Sequence, residues 1–295
     1  MMNKYTRLAL AIALTCSTQA AHSLTINFDY SYDTSGFFDT QRMNILQSAG
    51  NQISSRVNDN LTAITSDSSN QFNAIIPSPD GSGQTTINNT SISADTLTIY
   101  VGAQNHSGNT LATAGPGGFS FSGFSFDPDR GQATTTGPGA TDFAPWGGSI
   151  SFDADSNWYF DDNTATTEAF VGNDFYSVAL HELGHVFGIG TSDSWANQIS
   201  GNLFTGTASS ALFGEDIALN NGGHFADNVS YNGQQAAMTA SILSGTRKEF
   251  TELDFAALSD IGWEIRPVPL PAAVYLFGTG LLALVGFSRR KKVNH

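Results

Sequence analysis

The stretch DFYSVALHELGHVFG, residues 174–188, has the features of one helix with defined ends. Asn173 and Asp174 are both good helix N-caps, since their side chains accept hydrogen bonds from free backbone N–H groups of the first turn. Gly188 and Gly190 lie where the chain should turn away, because glycine tolerates the left-handed conformation that ends many helices. We therefore predict a helix over about residues 174–188.

Two histidines four positions apart give this helix its chemistry. Residues at this spacing share a face, so His181 and His185 can present ring nitrogens to one metal ion. Glu182 is one residue further round, close enough to contact a water on that ion without binding the ion itself. His-Glu-x-x-His is typical of zinc peptidases, in which zinc lowers the pKa of water to about 7. We predict that Glu182 acts as general base.

The sequence HELGHVFG, residues 181–188, resembles the metzincin family of zinc peptidases, including matrixins and leishmanolysin-like enzymes. In that family the glycine at position 188 lets the chain bend away towards a third histidine. Thr191 occupies the matrixin position of that histidine and is not an ordinary zinc ligand. In the leishmanolysin-like branch the third histidine comes much later, after an insertion. The resemblance thus implies a delayed third ligand.

His224, in NGGHFADN, is the histidine that fits this delayed position, and Met238, in AAMTASI, follows it. A methionine in a tight turn beneath the metal is the metzincin hallmark. The resemblance therefore implies that His224 completes a Zn²⁺ site with His181 and His185, and that Met238 forms the Met-turn. Ordinary core packing is the alternative role of the methionine. Two acidic residues remain alternatives for the third ligand: Glu215 and Asp193.

A second resemblance lies upstream, in GGSISFDADSNWYFDDN, residues 147–163. It is similar to the matrixin stretch that forms the edge strand over the cleft and then a calcium loop. The resemblance implies a Ca²⁺ site at Asp153, Asp155 and Asp161, and a solvated turn is the alternative. Metzincins bind substrate by pairing it with such an edge strand, so we expect GSISF, residues 148–152, to do this.

Periodicity predicts the other regular elements. Alternating apolar and polar residues, or short apolar runs, predict strands at residues 24–30, 95–101 and 148–153. Apolar residues recur every three or four positions over residues 40–57, which predicts an amphipathic helix. In the Gly- and Ser-rich stretch 103–147, the segment FSFSGFSF favours a hairpin.

Near the end, residues 251–254 (Thr-Glu-Leu-Asp) resemble a capping box that opens a last helix through Asp260. The order of elements predicts an α+β fold, with a twisted sheet covered by helices. The resemblance further implies a zincin or metzincin-like architecture with an active-site helix and an irregular C-terminal lobe. We assign residues 24–266 to this catalytic domain.

Both ends of the chain differ from this domain. Residues 1–23 have a basic start, an apolar run and small residues, as in a secretory signal peptide. Residues 267–292 hold about 20 uncharged residues followed by Arg-Arg-Lys-Lys, which is long enough for a transmembrane helix with its basic end in the cytoplasm. The only cysteine, Cys16, lies in the predicted signal, so the domain has no disulfide.

The C-terminal segment, with its VPLPA start, resembles the PEP-CTERM sorting signals of Gram-negative bacteria. That resemblance implies cleavage by an exosortase-type transpeptidase in the membrane, followed by transfer to the cell surface or extracellular matrix. A permanent membrane anchor is the alternative.

Charge restricts the partners of the domain. All 26 acidic residues, but only six of the 12 basic residues, lie between residues 24 and 267. The excess of negative charge repels nucleic acid and attracts cations, so DNA and RNA are not expected partners. Together the motif and the ends predict an exported zinc metalloendopeptidase that cleaves proteins or peptides. A non-catalytic surface or matrix protein, with a metal that only stabilises the fold, is the alternative.

Overall fold

The computed structural model describes residues 24–123, 127–163 and 168–267. The predicted signal peptide and nearly all of the predicted sorting segment lie outside these residues. The helices are α1 (Thr40–Ser54), α2 (Phe175–Val186), α3 (Asp193–Ala196), α4 (Thr207–Phe213) and α5 (Glu252–Asp260). Among the described residues, no helix has both the length and the apolar character needed to cross a bilayer.

In the described chain, eight strands lie before residue 160 and seven lie after it. The first eight are β1 (Thr25–Asp29), β2 (Gln71–Pro77), β3 (Gln84–Ile87), β4 (Thr96–Gln104), β5 (Ala112–Pro116), β6 (Gly118–Ser122), β7 (Gly147–Asp153) and β8 (Trp158–Tyr159). The others are β9 (Asn173–Asp174), β10 (Ile199–Ser200), β11 (Leu203–Phe204), β12 (Ile217–Asn220), β13 (His224–Phe225), β14 (Ser230–Tyr231) and β15 (Gln234–Gln235).

The main sheet has the strand order β1-β4-β7-β5. The first three strands run parallel, and β5 runs antiparallel at the edge. The three predicted strands are confirmed as β1, β4 and β7, and the mixed α+β architecture is confirmed with them. The main apolar core packs this sheet against α1, α2 and α5.

The expectation that GSISF forms the edge strand is wrong. Within β7, Ile150 pairs with Val101 on one side and with Ala114 on the other, so the strand lies inside the sheet. All seven residues of β7 are buried, as expected of a strand covered on both faces and both edges. The edge strand beside β7 is β5, whose sequence ATAGP has no apolar alternation to reveal it.

A smaller antiparallel sheet, β3-β2-β6, packs on a second apolar cluster that contains Phe72 and Trp146. The first half of FSFSGFSF forms β6 and pairs with β2. Residues 124–126, in its second half, lie outside the described residues, so the hairpin stays a prediction.

The predicted amphipathic helix over 40–57 is confirmed as α1, with a buried face of Ile45, Leu46, Ala49 and Ile53. It ends three residues early because Val57 leaves the helix and forms a β-bridge with Ile265. This bridge ties the beginning of the domain to its end.

After α2 the described chain contains only short strands and helices until α5. The capping box is present: the Thr251 side chain accepts a hydrogen bond from Asp254 N, and the Asp254 carboxylate accepts one from Thr251 N. The predicted last helix is therefore confirmed. Its N-terminus lies close to the segment that contains Met238, as the hydrogen bonds described below show.

Candidate metal centre and groove

The N-terminus of α2 is fixed by buried polar contacts. Asp174 is the N-cap and accepts a hydrogen bond from Ser177 N at 3.1 Å. Arg247 donates to both oxygens of this carboxylate, from Nη2 at 2.8 Å and from Nε at 3.0 Å. A two-point Arg–carboxylate contact sets orientation as well as position. The helix start is therefore tied to a residue 73 positions downstream.

Two glycines after α2 direct the chain back over the helix. Gly188 has φ +103°, a conformation that L-residues rarely adopt, so the chain leaves the helix there as the sequence predicts. Gly190 has φ +76°, and a Cβ on it would lie 2.1 Å from Gly223 O. The absence of a side chain at position 190 thus allows the loop before His224 to approach the end of the helix.

Three imidazoles meet at this point. Nε2 of His185 lies 3.1 Å from Nε2 of His181 and 3.0 Å from Nε2 of His224. Their ligand atoms all lie within 4.8 Å of one another, and the described residues contain no other such group of three. Of the alternatives, Glu215 is exposed, and the Asp193 carboxylate accepts a hydrogen bond from Gly137 N. The structure therefore brings His224, and neither acid, to the helix histidines.

The hydrogen bonds made by the Nδ1 atoms determine whether the Nε2 atoms can bind a metal. Nδ1 of His181 lies 2.8 Å from Ala237 O, and Nδ1 of His185 lies 2.8 Å from Ile189 O. A carbonyl oxygen only accepts, so each Nδ1 carries the hydrogen and each Nε2 of a neutral ring presents a lone pair. Two lone pairs at about 3 Å repel each other unless a proton or a cation lies between them.

Burial makes a shared proton unfavourable. It lowers the pKa of His185 to about 4 and lowers the pKa values of His181 and His224 as well. At neutral pH the rings are therefore uncharged, which is the form that binds metals. Two nitrogens each about 2.1 Å from one zinc ion lie at most about 4.2 Å apart, and both closest nitrogen distances satisfy that limit. The donor set fits a cation.

Glu182 lies beside the three histidines and lines the same groove. It is 5% exposed, and burial raises the pKa of its carboxyl to about 8. Among the described residues none donates a hydrogen bond to its carboxylate. A buried carboxylate that accepts no hydrogen bond from these residues is available to a water or a substrate.

Met238 lies beneath α2 and is fully buried. A Cβ on Gly184 would be 2.2 Å from its sulfur, so the thioether packs directly against the helix between the two motif histidines. The backbone N–H groups of Ala237 and Met238 each donate to the buried Asp254 carboxylate at 3.1 Å. The turn that orients His181 through Ala237 O is thus anchored to the start of α5.

A groove of about 810 Å³ passes over the histidines. One wall is formed by residues 109–114, which include the beginning of β5. The lining also includes residues of α2, residue 237, residues 239–242 and Lys248. This volume is typical of a site for a small molecule or a peptide segment.

The three carboxylates of the predicted calcium site make separate contacts. Asp153 accepts hydrogen bonds from His106 N at 2.9 Å and from Ser156 Oγ at 2.5 Å. Asp155 is exposed. Asp161 forms an ion pair with Arg247 at 3.1 Å. Among the described residues these carboxylates do not form a compact metal-binding group, and the calcium site stays a prediction.

Residues 122–209 match the family model of the Peptidase_M10 matrixins. The matched segment contains β7, all of α2 and the turn after it, and it ends before His224 and Met238. It covers less than half of the chain, and it supports a metallopeptidase of the metzincin type. A search of curated proteins and of solved structures found no match.

Several residues of the site were not recognised in the sequence. Strand β5 has no distinctive pattern, and the anchoring role of Asp254 depends on a contact 16 residues away along the chain. Lys248 could have been singled out, because it is one of only six basic residues in an acidic domain.

Proposed function

We propose that the protein is an exported zinc-dependent endopeptidase, with His181, His185 and His224 as zinc ligands and Glu182 as general base. The observation that carries this proposal is the meeting of three neutral imidazoles beside an uncommitted buried carboxylate, in a groove open to a peptide. The partial matrixin match supports the same class of enzyme.

When bound, zinc supplies Lewis acidity that polarises a peptide carbonyl and makes water acidic near neutral pH. The protein supplies the proton transfers. Glu182 accepts a proton from the attacking water at its carboxylate and later donates it to the leaving amine nitrogen. A divalent charge on the three neighbouring histidines favours the ionised form of Glu182, which offsets the effect of burial on its pKa.

Strand β5 is the element that we propose for substrate binding. One edge of β5 pairs with β7, and its first residues, 112–114, form part of the groove wall. An extended peptide can add to such an edge through backbone hydrogen bonds, which requires no particular side chains. The carbonyl of the bond to be cleaved would then pass over the histidines.

The sequences at the two ends of the chain support a location outside the cytoplasm for this activity. We propose that residues 1–23 direct export and that residues 267–292 act as a PEP-CTERM sorting segment. An exosortase-type transpeptidase would process this segment on the way to the cell surface or matrix of a Gram-negative bacterium.

Substitution of Glu182 by Gln tests the proposal. The amide keeps the shape but cannot accept the proton, so we expect unchanged zinc content and loss of at least about 1000-fold in casein cleavage. Zinc is measured by atomic absorption on the same samples. If the wild type binds zinc but cleaves neither casein nor a peptide library, a matrix protein with a structural metal site replaces the peptidase.

A further inference from the structure

One buried cation lies in the groove wall and is not used by the proposed chemistry. Lys248 is 3% exposed. Among the described residues that line the groove, it provides the only lysine or arginine side chain. The groove lining also includes Ser241 and Ile242, together with Ser177 and Val178, which lie about one helical turn before His181. This arm of the groove, defined by these five residues, begins next to the metal ligands.

The hydrogen bonds of Lys248 hold its ammonium in place. Nζ donates to Thr239 Oγ1 and to Ser241 O, each at 2.5 Å. Both acceptors belong to residues of the groove wall. An ammonium group has three hydrogens, and among the described residues these two contacts are its only hydrogen bonds. One hydrogen of the ammonium therefore has no acceptor among the described residues.

This ammonium also has no counter-ion in contact. Asp227 and Asp254 act on Lys248 through space, and both raise its pKa. No carboxylate of the described residues comes within 4.0 Å of Nζ. Burial outweighs both acids and lowers the pKa of Lys248 to about 8, which still leaves it mainly protonated at pH 7. A desolvated charge of this kind is costly unless an opposite charge meets it.

We propose that Lys248 binds an acidic side chain of the peptide substrate, so that the enzyme prefers Glu or Asp at one position flanking the cleaved bond. This inference rests on the proposed peptidase function. The rest of the domain is acidic and repels acidic peptides, so the preference should be confined to one position. A general preference for acidic sequences would require a basic surface.

The test is a proteome-derived peptide library cleaved by the full chain and sequenced by mass spectrometry. We expect enrichment of Glu and Asp at a single position within two residues of the cleaved bond. A matched pair of peptides, with Glu or Gln at that position, then gives a ratio of kcat/KM. We expect roughly tenfold or more in favour of Glu, as typical of a hydrogen bond between charged groups.

Three variants separate charge from structure. Lys248→Gln should bring the Glu/Gln ratio close to one, whereas Lys248→Arg should retain it because the charge remains. Arg266→Gln removes a positive charge outside the groove and should leave the ratio unchanged. If Lys248→Gln does not fold, the wild-type library decides: acidic residues enriched at a single position support the proposal, and their absence overturns it.

The outcomes are distinguishable. Cleavage without acidic enrichment, or a Glu/Gln ratio that survives in folded Lys248→Gln, overturns the role of Lys248 and leaves the peptidase intact. Absence of all cleavage by zinc-loaded wild type overturns the peptidase proposal and this inference with it.

Discussion

Helix α2 and the segment from Gly223 to Asp254 contribute to the same site by different physical means. In α2, His181 and His185 share a face because the helix repeats every 3.6 residues, so local geometry sets their relation. His224 lies in the two-residue strand β13 and Met238 lies on irregular chain, and contacts with residues outside their own segments position both side chains. Two ligands are therefore fixed by secondary structure, whereas the third depends on tertiary contacts.

The largest effect on this difference is expected from Asp254→Asn. The carboxylate accepts from Ala237 N, Met238 N, Thr251 N and Thr251 Oγ1, and an amide cannot accept from all four groups. We expect a loss of about 2–4 kcal/mol in the free energy of unfolding by urea.

The same variant should weaken zinc binding by about 10- to 100-fold, because the turn that holds His181 through Ala237 O would loosen. Ser259→Ala, at an exposed position on the same helix, is the control and should change stability by less than about 0.5 kcal/mol. Wild-type zinc affinity in Asp254→Asn would show that the downstream segment does not need this anchor.

A smaller effect is expected from Gly190→Ala. The new Cβ would lie 2.1 Å from Gly223 O, so the loop before His224 must move. We expect a loss of about 1–3 kcal/mol of stability, together with weaker zinc binding and unchanged helix content by circular dichroism.

Gly201→Ala is a matched control, because Gly201 also has positive φ (+61°) but has no atom within 4 Å of the added Cβ. It should cost about 1 kcal/mol through backbone strain alone and leave zinc binding unchanged. If the two substitutions change zinc affinity equally, the close approach of Gly190 to Gly223 O does not position His224.

The sequence predicts those features that depend only on neighbouring residues, such as helix caps and the turn after a helix. Asp174 caps α2, Gly188 takes the left-handed turn after it, and Thr251 with Asp254 forms the capping box of α5. The relation between His181 and His185 follows from their spacing alone. These features need no knowledge of the rest of the fold.

Features that depend on long-range pairing were missed or misassigned. GSISF has the composition of a good strand, but its place inside the sheet depends on β5, whose residues show no strand pattern. Only the family resemblance predicts His224 as a ligand, since no local pattern in NGGHFADN indicates one. The hydrogen bonds from Lys248 to residues 239 and 241 likewise follow only from the folded turn.

Zinc content tests most directly whether three histidines, one of them in the short strand β13, bind a single ion. It is measured on wild type, His224→Ala and Glu215→Gln after dialysis against metal-free buffer. We predict one zinc per chain in wild type and in Glu215→Gln, and loss of zinc from folded His224→Ala. Full zinc content in His224→Ala, or its loss in Glu215→Gln, would contradict the assignment of the third ligand.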